Sequence, residues 1–344
     1  MLYREIAVKD NKCYHNDENQ LRENGGCQGL YPDGRPYYTL NQYIREHFGH
    51  RLQKLSLDGG MSCPNRDGTI SYGGCVFCSA GGSGDFAADR CLSVTKQLAQ
   101  AKAQVAGKVF ERKAAYIAYF QAYTNTYGPI EYLEKIFTEA MVDPEVEVLS
   151  IATRPDCLGE DVCRLLDRLS EKKPIWVELG LQTMHEETAV RINRGYPLVV
   201  FEETVRRLKA GGHTVIVHVI LGLPGETREQ MIETVRYLGR VGIDGIKLQL
   251  LHVLRDTKLA QWYEEGQFEA LTKEEYFSIV ADCLRVLPRE VAIHRITGDG
   301  PKELLIAPLW SGHKKAVLNE LHHYLKEHQV VQGSAVVNGE ATLR

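Results

Sequence analysis

The apolar positions of this chain follow two alternating periods. Short, nearly continuous apolar runs at 52–57, 115–120, 146–152, 175–179, 214–221 and 245–251 predict strands. Between them lie longer stretches with apolar residues three and four apart, which predict helices that bury one face. Ser93 caps one such helix, with Val94, Leu98, Ala101, Val105 and Val109 along one side. Pro129 opens another, in which Ile130, Leu133, Ile136 and Phe137 share a face. Further helices are predicted over 37–50, 158–170, 185–193 and 199–210. Two more follow capping boxes, one at Thr227 and Gln230 and one at Thr272-Lys273-Glu274-Glu275. Strands alternating with helices predict parallel βαβ units, and strands apolar throughout predict a sheet covered on both faces.

The residues suited to chemistry gather where those strands end. Thr153-Arg154 follows the third strand, Gln182 the fourth, Gly222-Leu223-Pro224-Gly225 the fifth and His252 the sixth, while Gln121 begins the loop after the second. In a parallel barrel, and in an open doubly wound sheet, this is the edge where ligands bind. No GxGxxG follows the first strand and no Walker-type loop occurs. A nucleotide cradled by a glycine-rich phosphate loop is therefore not expected.

After the first strand comes Cys63-Pro-Asn-Arg-Asp-Gly-Thr-Ile-Ser-Tyr-Gly-Gly-Cys75-Val-Phe-Cys78. Eleven residues separate the first two cysteines and two separate the second pair. Glycines let such a loop turn tightly around a small object. Three readings are open. Three thiolates hold an iron–sulfur cluster with one iron left for a ligand. Alternatively, four ligands, with Cys91 as the fourth, close a structural zinc site. Or two cysteines pair as a disulfide and leave one spare.

Composition narrows this choice. The nine cysteines occur without an apolar signal-like stretch in residues 1–20, which suggests a cytoplasmic chain whose reduced thiols bind metal. No apolar run approaches a membrane span, so no membrane partner is expected. The net charge of −4 argues against a global electrostatic grip on nucleic acid. A local basic face remains open to Lys108, Arg112, Lys113, Arg191, Arg194, Arg206, Arg207, Lys209, Arg255, His313, Lys314 and Lys315. Residues 1–38 read as a polar, turn-rich appendage in which Cys13 and Cys27 are idle. Cys157, Cys163 and Cys283 read as small core residues. Glu178 interrupts an apolar strand and needs a partner, for which Lys247 is the expected residue. His218 reads as a satisfied core histidine, while His252, just past a strand end, is open either to that reading or to facing substrate. Glu178, Lys247 and His252 are the catalytic candidates.

Taken together and in this order, the motifs resemble the radical S-adenosylmethionine (SAM) superfamily. The long first gap is similar to the elongator catalytic-subunit type of core, as are Ala152-Thr-Arg-Pro-Asp156, Val177-Glu-Leu-Gly-Leu-Gln182, Arg194-Gly-Tyr196 and Gly245-Ile-Lys247. A bacterial subgroup without the acetyltransferase domain is closer still. That likeness is carried by His50, Asp58-Gly59-Gly60, Pro64-Asn-Arg-Asp-Gly68, Gly82-Ser-Gly-Asp-Phe86, Tyr119-Phe-Gln-Ala122, His294-Arg-Ile-Thr-Gly-Asp-Gly300 and Pro308-Leu-Trp310. The resemblance spans about residues 38–312.

The resemblance implies an α/β fold, a partial (β/α)6 TIM-type barrel over residues 39–288. An N-terminal extension of residues 1–38 precedes it and a small α+β extension of residues 289–344 follows. It implies that Cys63, Cys75 and Cys78 hold a [4Fe–4S] cluster whose open iron takes the amino and carboxylate groups of SAM. One electron then yields methionine and a 5′-deoxyadenosyl radical. Phe77 is expected at the adenine edge, and Thr153 or Arg154 near the ribose, with Arg154 equally open to pairing with Asp156 or Glu178. Gln182 and Arg194 are expected at the ribose and carboxylate, with Ile220 and Gly222 beside adenine. Gln121-Ala-Tyr-Thr124 stands where the family has Gly-Gly-Glu for the methionine amine. The implied substrate is a tRNA wobble uridine, taken from its carboxymethylaminomethyl toward its aminomethyl form. Trp310 and Tyr123 are candidate stacking partners for the base, and a flavodoxin- or ferredoxin-type protein is the implied electron donor. The alternatives are a radical SAM enzyme acting on a protein or small metabolite, and a zinc-stabilised RNA-binding module without catalysis.

Overall fold

Seven strands form one sheet in the computed structural model, which describes residues 29–82, 87–106, 115–298 and 300–336. The expectations placed on Cys13, Cys27, Lys108, Val109, Arg112 and Lys113 lie outside the described residues, as does the 83–86 stretch of the resemblance. The elements run α1 (Leu40–Phe48), β1 (Gln53–Leu57), α2 (Val94–Val105), β2 (Tyr116–Phe120), α3 (Ile130–Val142), β3 (Val146–Thr153), α4 (Glu160–Ser170) and β4 (Ile175–Gln182). They continue with α5 (Glu186–Arg191), α6 (Leu198–Ala210), β5 (Thr214–Leu221), α7 (Arg228–Val241), β6 (Gly245–Leu250), β7 (Val253–Leu254) and α8 (Lys258–Glu264). The last are α9 (Lys273–Val286), β8 (Ala292–Arg295), β9 (Leu305–Ala307) and α10 (Lys314–Glu327).

The sheet order is β1-β2-β3-β4-β5-β6-β8, with every neighbouring pair parallel. This is the expected partial barrel with a seventh strand added. Helix starts follow the sequence signals. Ser93 Oγ accepts from Lys96 N, and both capping boxes, Thr227 with Gln230 and Thr272 with Glu275, are formed. Among the described residues no helix is long and apolar enough to cross a membrane.

Side chains on a strand alternate between faces, and here the two faces do different work. Leu55, Phe120, Leu149, Val177, Val217 and Ile246 join Leu98, Phe137, Leu165, Phe201 and Leu238 of the helices in the main core. The other face turns into the barrel, where it is stacked in layers. Leu52, Ile117, Val148, Trp176 and Ile216 form an apolar layer with Ile44 of α1, which closes the N-terminal end of the barrel. Tyr43 and Phe48 of α1 meet Trp176 edge-on at 5.8 and 6.4 Å between ring centroids. Two residues further along each strand the interior becomes polar, with Lys54, Tyr119, Ser150, Glu178 and His218, and Lys247 on β6.

The C-terminal segment both extends and braces the sheet. β8 pairs with β6, β7 and β9 form a short antiparallel ribbon, and α10 packs on α9. Residues 29–38 lie against this segment. Tyr38 N donates to Gln332 Oε1 (2.9 Å), Gln332 N donates to the Pro36 carbonyl (2.9 Å), and Tyr31 Oη donates to the Arg289 carbonyl (2.7 Å).

Trp176 is 1% exposed and fills the apolar layer. Replacing it with alanine is expected to cost roughly 3–5 kcal/mol in urea unfolding. A loss under about 1 kcal/mol would show that this layer does not support the barrel.

Candidate active site

The long gap between the first two cysteines folds into a small structure of its own. Arg66 N and Asp67 N donate to the Cys63 carbonyl, Ile70 N donates to the Pro64 carbonyl, and Asp67 bridges to Tyr72. Gly73 and Gly74 both have φ of +83°, a conformation that favours glycine. Two side chains latch the turn in place. Asn65 is fully buried, and its amide donates to the Asn193 and Arg194 carbonyls. Arg66 donates to the Cys78 and Ser79 carbonyls and so ties the first cysteine's end of the loop to the third's. Cys78 N donates to the Cys75 carbonyl (2.9 Å), closing the shorter turn.

All three thiols line one cavity of about 250 Å³ at the C-terminal ends of the strands. Of the residues expected to contact SAM, Phe77, Gln121, Thr153, Arg154, Gln182, Arg194 and Ile220 line it too, and Gly222 does not. Gly222 has φ of +93°, its N–H points to Met231 Sδ (3.0 Å) and Leu271 packs against it. It therefore serves the turn into α7.

The two arginines are engaged within the protein. Arg154 makes a two-pronged bond to Asp156 at 2.9 and 2.8 Å. Arg194 is 1% exposed and donates to the Thr183 carbonyl (2.7 Å), the Tyr196 carbonyl (3.0 Å) and Glu186 (3.2 Å). Both guanidiniums lie over the Tyr196 ring. Gln182 differs: its Oε1 is buried and meets no hydrogen-bond partner.

Of the two stacking candidates, Tyr123 lines the cavity, with its hydroxyl donating to the Ala80 carbonyl. Trp310 does not. It packs on Tyr276 and Phe277 and donates to the Leu271 carbonyl, so its role is core packing. His252 lines the cavity between Gly298 and Gly300, where an added Cβ would come within 2.6 and 3.0 Å of its ring. Cys163 and Cys283 are buried in the main core as expected, while Cys157 is half-buried in a surface cleft with Thr69 and Tyr127.

The floor of the cavity is the polar layer of the barrel. Glu178 has no exposed surface, and four donors surround it. Lys54 Nζ (2.7 Å) and Ser150 Oγ (2.9 Å) reach Oε1, while His218 Nε2 (2.8 Å) and Lys247 Nζ reach Oε2. Lys247 also donates to Tyr119 Oη at 3.0 Å. Burial alone would raise the Glu178 carboxyl, but Lys247, Lys54 and His218 outweigh it and hold it well below the usual carboxylate range. Burial pushes the Lys247 ammonium down to about 7, with Lys54 and Arg295 acting in the same direction against Glu178. Burial and Lys247 take His218 down to about 4, so at neutral pH it is a neutral donor to the carboxylate. The Glu178–Lys247 pair was legible in the sequence. Lys54, Tyr119, Ser150 and Arg295 were not singled out, although a polar residue recurring inside apolar strands was the available signal.

A parallel partial barrel with three thiols on the loop after its first strand defines a class, and comparison with known proteins names it. The Radical SAM superfamily model matches residues 67–238 and the Radical_SAM C-terminal domain model matches residues 243–327. The chain belongs to the radical SAM superfamily. It is 46% identical over 297 residues to the uncharacterized protein YtqA of Bacillus subtilis, covering 86% of this chain and 92% of that one. It is 27% identical over 186 residues to the tRNA uridine(34) acetyltransferase of Methanocaldococcus jannaschii, covering 53% of this chain and 33% of that one. Among solved structures, the Elp3 of the archaeon Methanocaldococcus infernus superposes with a TM-score of 0.62 at 18% identity, covering 82% of this chain and 64% of that one.

The family implies a [4Fe–4S] cluster and SAM, and the residues present fit both. Burial, with Cys78 and Cys63 alongside, pushes the Cys75 thiol up to about 12, so without iron that thiol stays protonated. Coordination reverses that, because a metal-bound thiol is deprotonated. Asn65 Nδ2 lies 3.7 Å from Cys75 Sγ, placed to donate to a thiolate. Among the described residues no three or more His, Cys, Asp or Glu side chains converge closely enough to hold one metal ion, and Cys91 is exposed. The zinc reading needs such convergence, whereas a cubane takes each thiolate on a different iron. Gln182 Oε1 supplies an unmet acceptor on the wall where SAM is expected.

Glu178→Gln is expected to lower stability by roughly 3–5 kcal/mol, because it leaves the buried Lys247 and the half-buried Lys54 without their counter-ion. The pH dependence has a definite sign. A carboxyl held low in the fold adds stability above its unfolded pKa and loses it as pH falls through its folded pKa. Wild-type melting temperature should therefore fall on acidification below the ordinary carboxylate range, and more steeply than that of Glu178→Gln. Parallel slopes would remove Glu178 as the cause.

Proposed function

We propose that this chain is a radical SAM enzyme that modifies the side chain of a tRNA wobble uridine, taking a carboxymethylaminomethyl group toward aminomethyl. The observation that carries the reading is the shared core with a protein named for uridine 34 of tRNA. Its support within the chain is the long-gap cysteine loop and the strand-end motifs that resemble elongator-type enzymes. A reaction at the bottom of a cavity also suits a target base that leaves its stack. An electron donor of flavodoxin or ferredoxin type belongs to the proposal, since SAM cleavage consumes an electron.

When bound, the cluster and SAM supply a radical able to take a hydrogen atom from an unactivated carbon. The tasks of the protein's own residues are positional. Cys63, Cys75 and Cys78 would hold the cluster, with Asn65 and Arg66 keeping their loop in one shape. Gln182 would accept a hydrogen bond from SAM, and Phe77 and Ile220 would border its adenine. Tyr123 and His252 would meet the substrate at the mouth of the cavity.

The test is mass spectrometry of tRNA nucleosides from a strain deleted for the gene. The proposal predicts accumulation of the carboxymethylaminomethyl nucleoside and loss of the aminomethyl form and whatever is made from it. An unchanged wobble-uridine profile would leave a protein or small-metabolite substrate as the better reading.

A further inference from the structure

The polar floor has a feature that cofactor binding does not account for. Two ammonium groups, Lys54 and Lys247, share the single carboxylate of Glu178. A carboxylate has about four acceptor positions, and Glu178 meets four donors, so it has no position left for a ligand. Lys247 is different. It lines the cavity, and its ammonium gives protons to Glu178 and Tyr119. An ammonium has three protons to give, which leaves one for a group entering from above. The groups acting on Lys247 come from every side of the layer. They are Lys54 on β1, Tyr119 on β2, Glu178 on β4, His218 on β5 and both His294 and Arg295 on β8. Of these only Glu178 is an acid.

We propose that Lys247 is a specificity residue that takes the carboxylate of the substrate side chain. This rests on the reading above, in which that side chain ends in a carboxylate before reaction and in an amine afterwards. An anion entering the floor meets a buried ammonium that has one counter-ion to share with a second lysine, and the low local dielectric strengthens the contact. Burial has brought Lys247 close to its titration point, so an arriving carboxylate also favours its charged form. The aminomethyl product offers a cation to the same site and is repelled. One residue thus both selects substrate and favours product release.

The experiment measures binding of two anticodon stem-loops, one carrying carboxymethylaminomethyluridine and one carrying aminomethyluridine, to the cluster-loaded protein in the presence of SAM. Wild type is expected to favour the first by about tenfold or more, the scale of a hydrogen bond between charged groups. Lys247→Met should bind both equally, and Lys247→Arg should restore part of the preference. The methionine variant leaves Glu178 with Lys54, Ser150 and His218, and a melting curve checks its fold. A wild type without preference, or a preference that survives in Lys247→Met, overturns the assignment. A wild type that binds neither stem-loop overturns the tRNA reading alone, and calorimetry with N-benzylglycine against benzylamine then decides the residue's role. Heat with the carboxylate in wild type and none in Lys247→Met keeps the assignment, and any other pattern removes it.

Discussion

One buried carboxylate governs this molecule. Glu178 sits at the centre of a parallel barrel and takes hydrogen bonds from side chains on β1, β3, β5 and β6. An ion in that position is costly unless every partner is in place. Its presence therefore fixes how the strands stand relative to one another, because a slip of one residue would turn the donors outward. The layer below it is built of apolar side chains around Trp176, with His294 against the indole, and is plugged by α1, while the layer above opens into the cavity. Two-residue periodicity thus does two jobs, building a core on one face and a graded interior on the other.

The cysteine loop depends on that frame rather than on its own sequence alone. Val76 N donates to the Ile192 carbonyl and Leu259 N to the Val76 carbonyl, so the loop is held between the end of α5 and the start of α8. Asn65 adds a buried anchor in the turn at 193–195, where Gly195 has φ of +82° and an added Cβ would lie 2.4 Å from Asn65 Oδ1. The eleven residues between Cys63 and Cys75 are accordingly a structural unit that sets the thiols, with Arg66 joining its ends.

Much of this was legible in the sequence. The six expected strands and the capped helices come from strong local signals, namely long apolar runs and Ser or Thr caps whose partners lie three residues on. The resemblance, carried by ordered motifs, located the cavity wall. β8 was not legible because Ala292-Ile-His-Arg295 is four residues long and half polar, and it becomes a strand only by pairing with β6. Arg154 and Arg194 also show the limit of analogy. Their positions on the wall were expected, and Asp156 was an open partner for Arg154, but the bonds of Arg194 to Thr183, Tyr196 and Glu186 are pairings that only three-dimensional proximity determines. Trp310 looked like a stacking surface and is instead half-buried against the core, since the aromatic faces of α9 lie beneath it.

The central claim is that Cys63, Cys75 and Cys78 hold a cluster with one iron left open for SAM. The most direct measurement is 5′-deoxyadenosine released from SAM by anaerobically reconstituted, chemically reduced protein, beside a Cys75→Ser variant. The account predicts release by the wild type, stimulated by tRNA, and none by the variant. A folded, iron-loaded wild type that leaves SAM intact would contradict it.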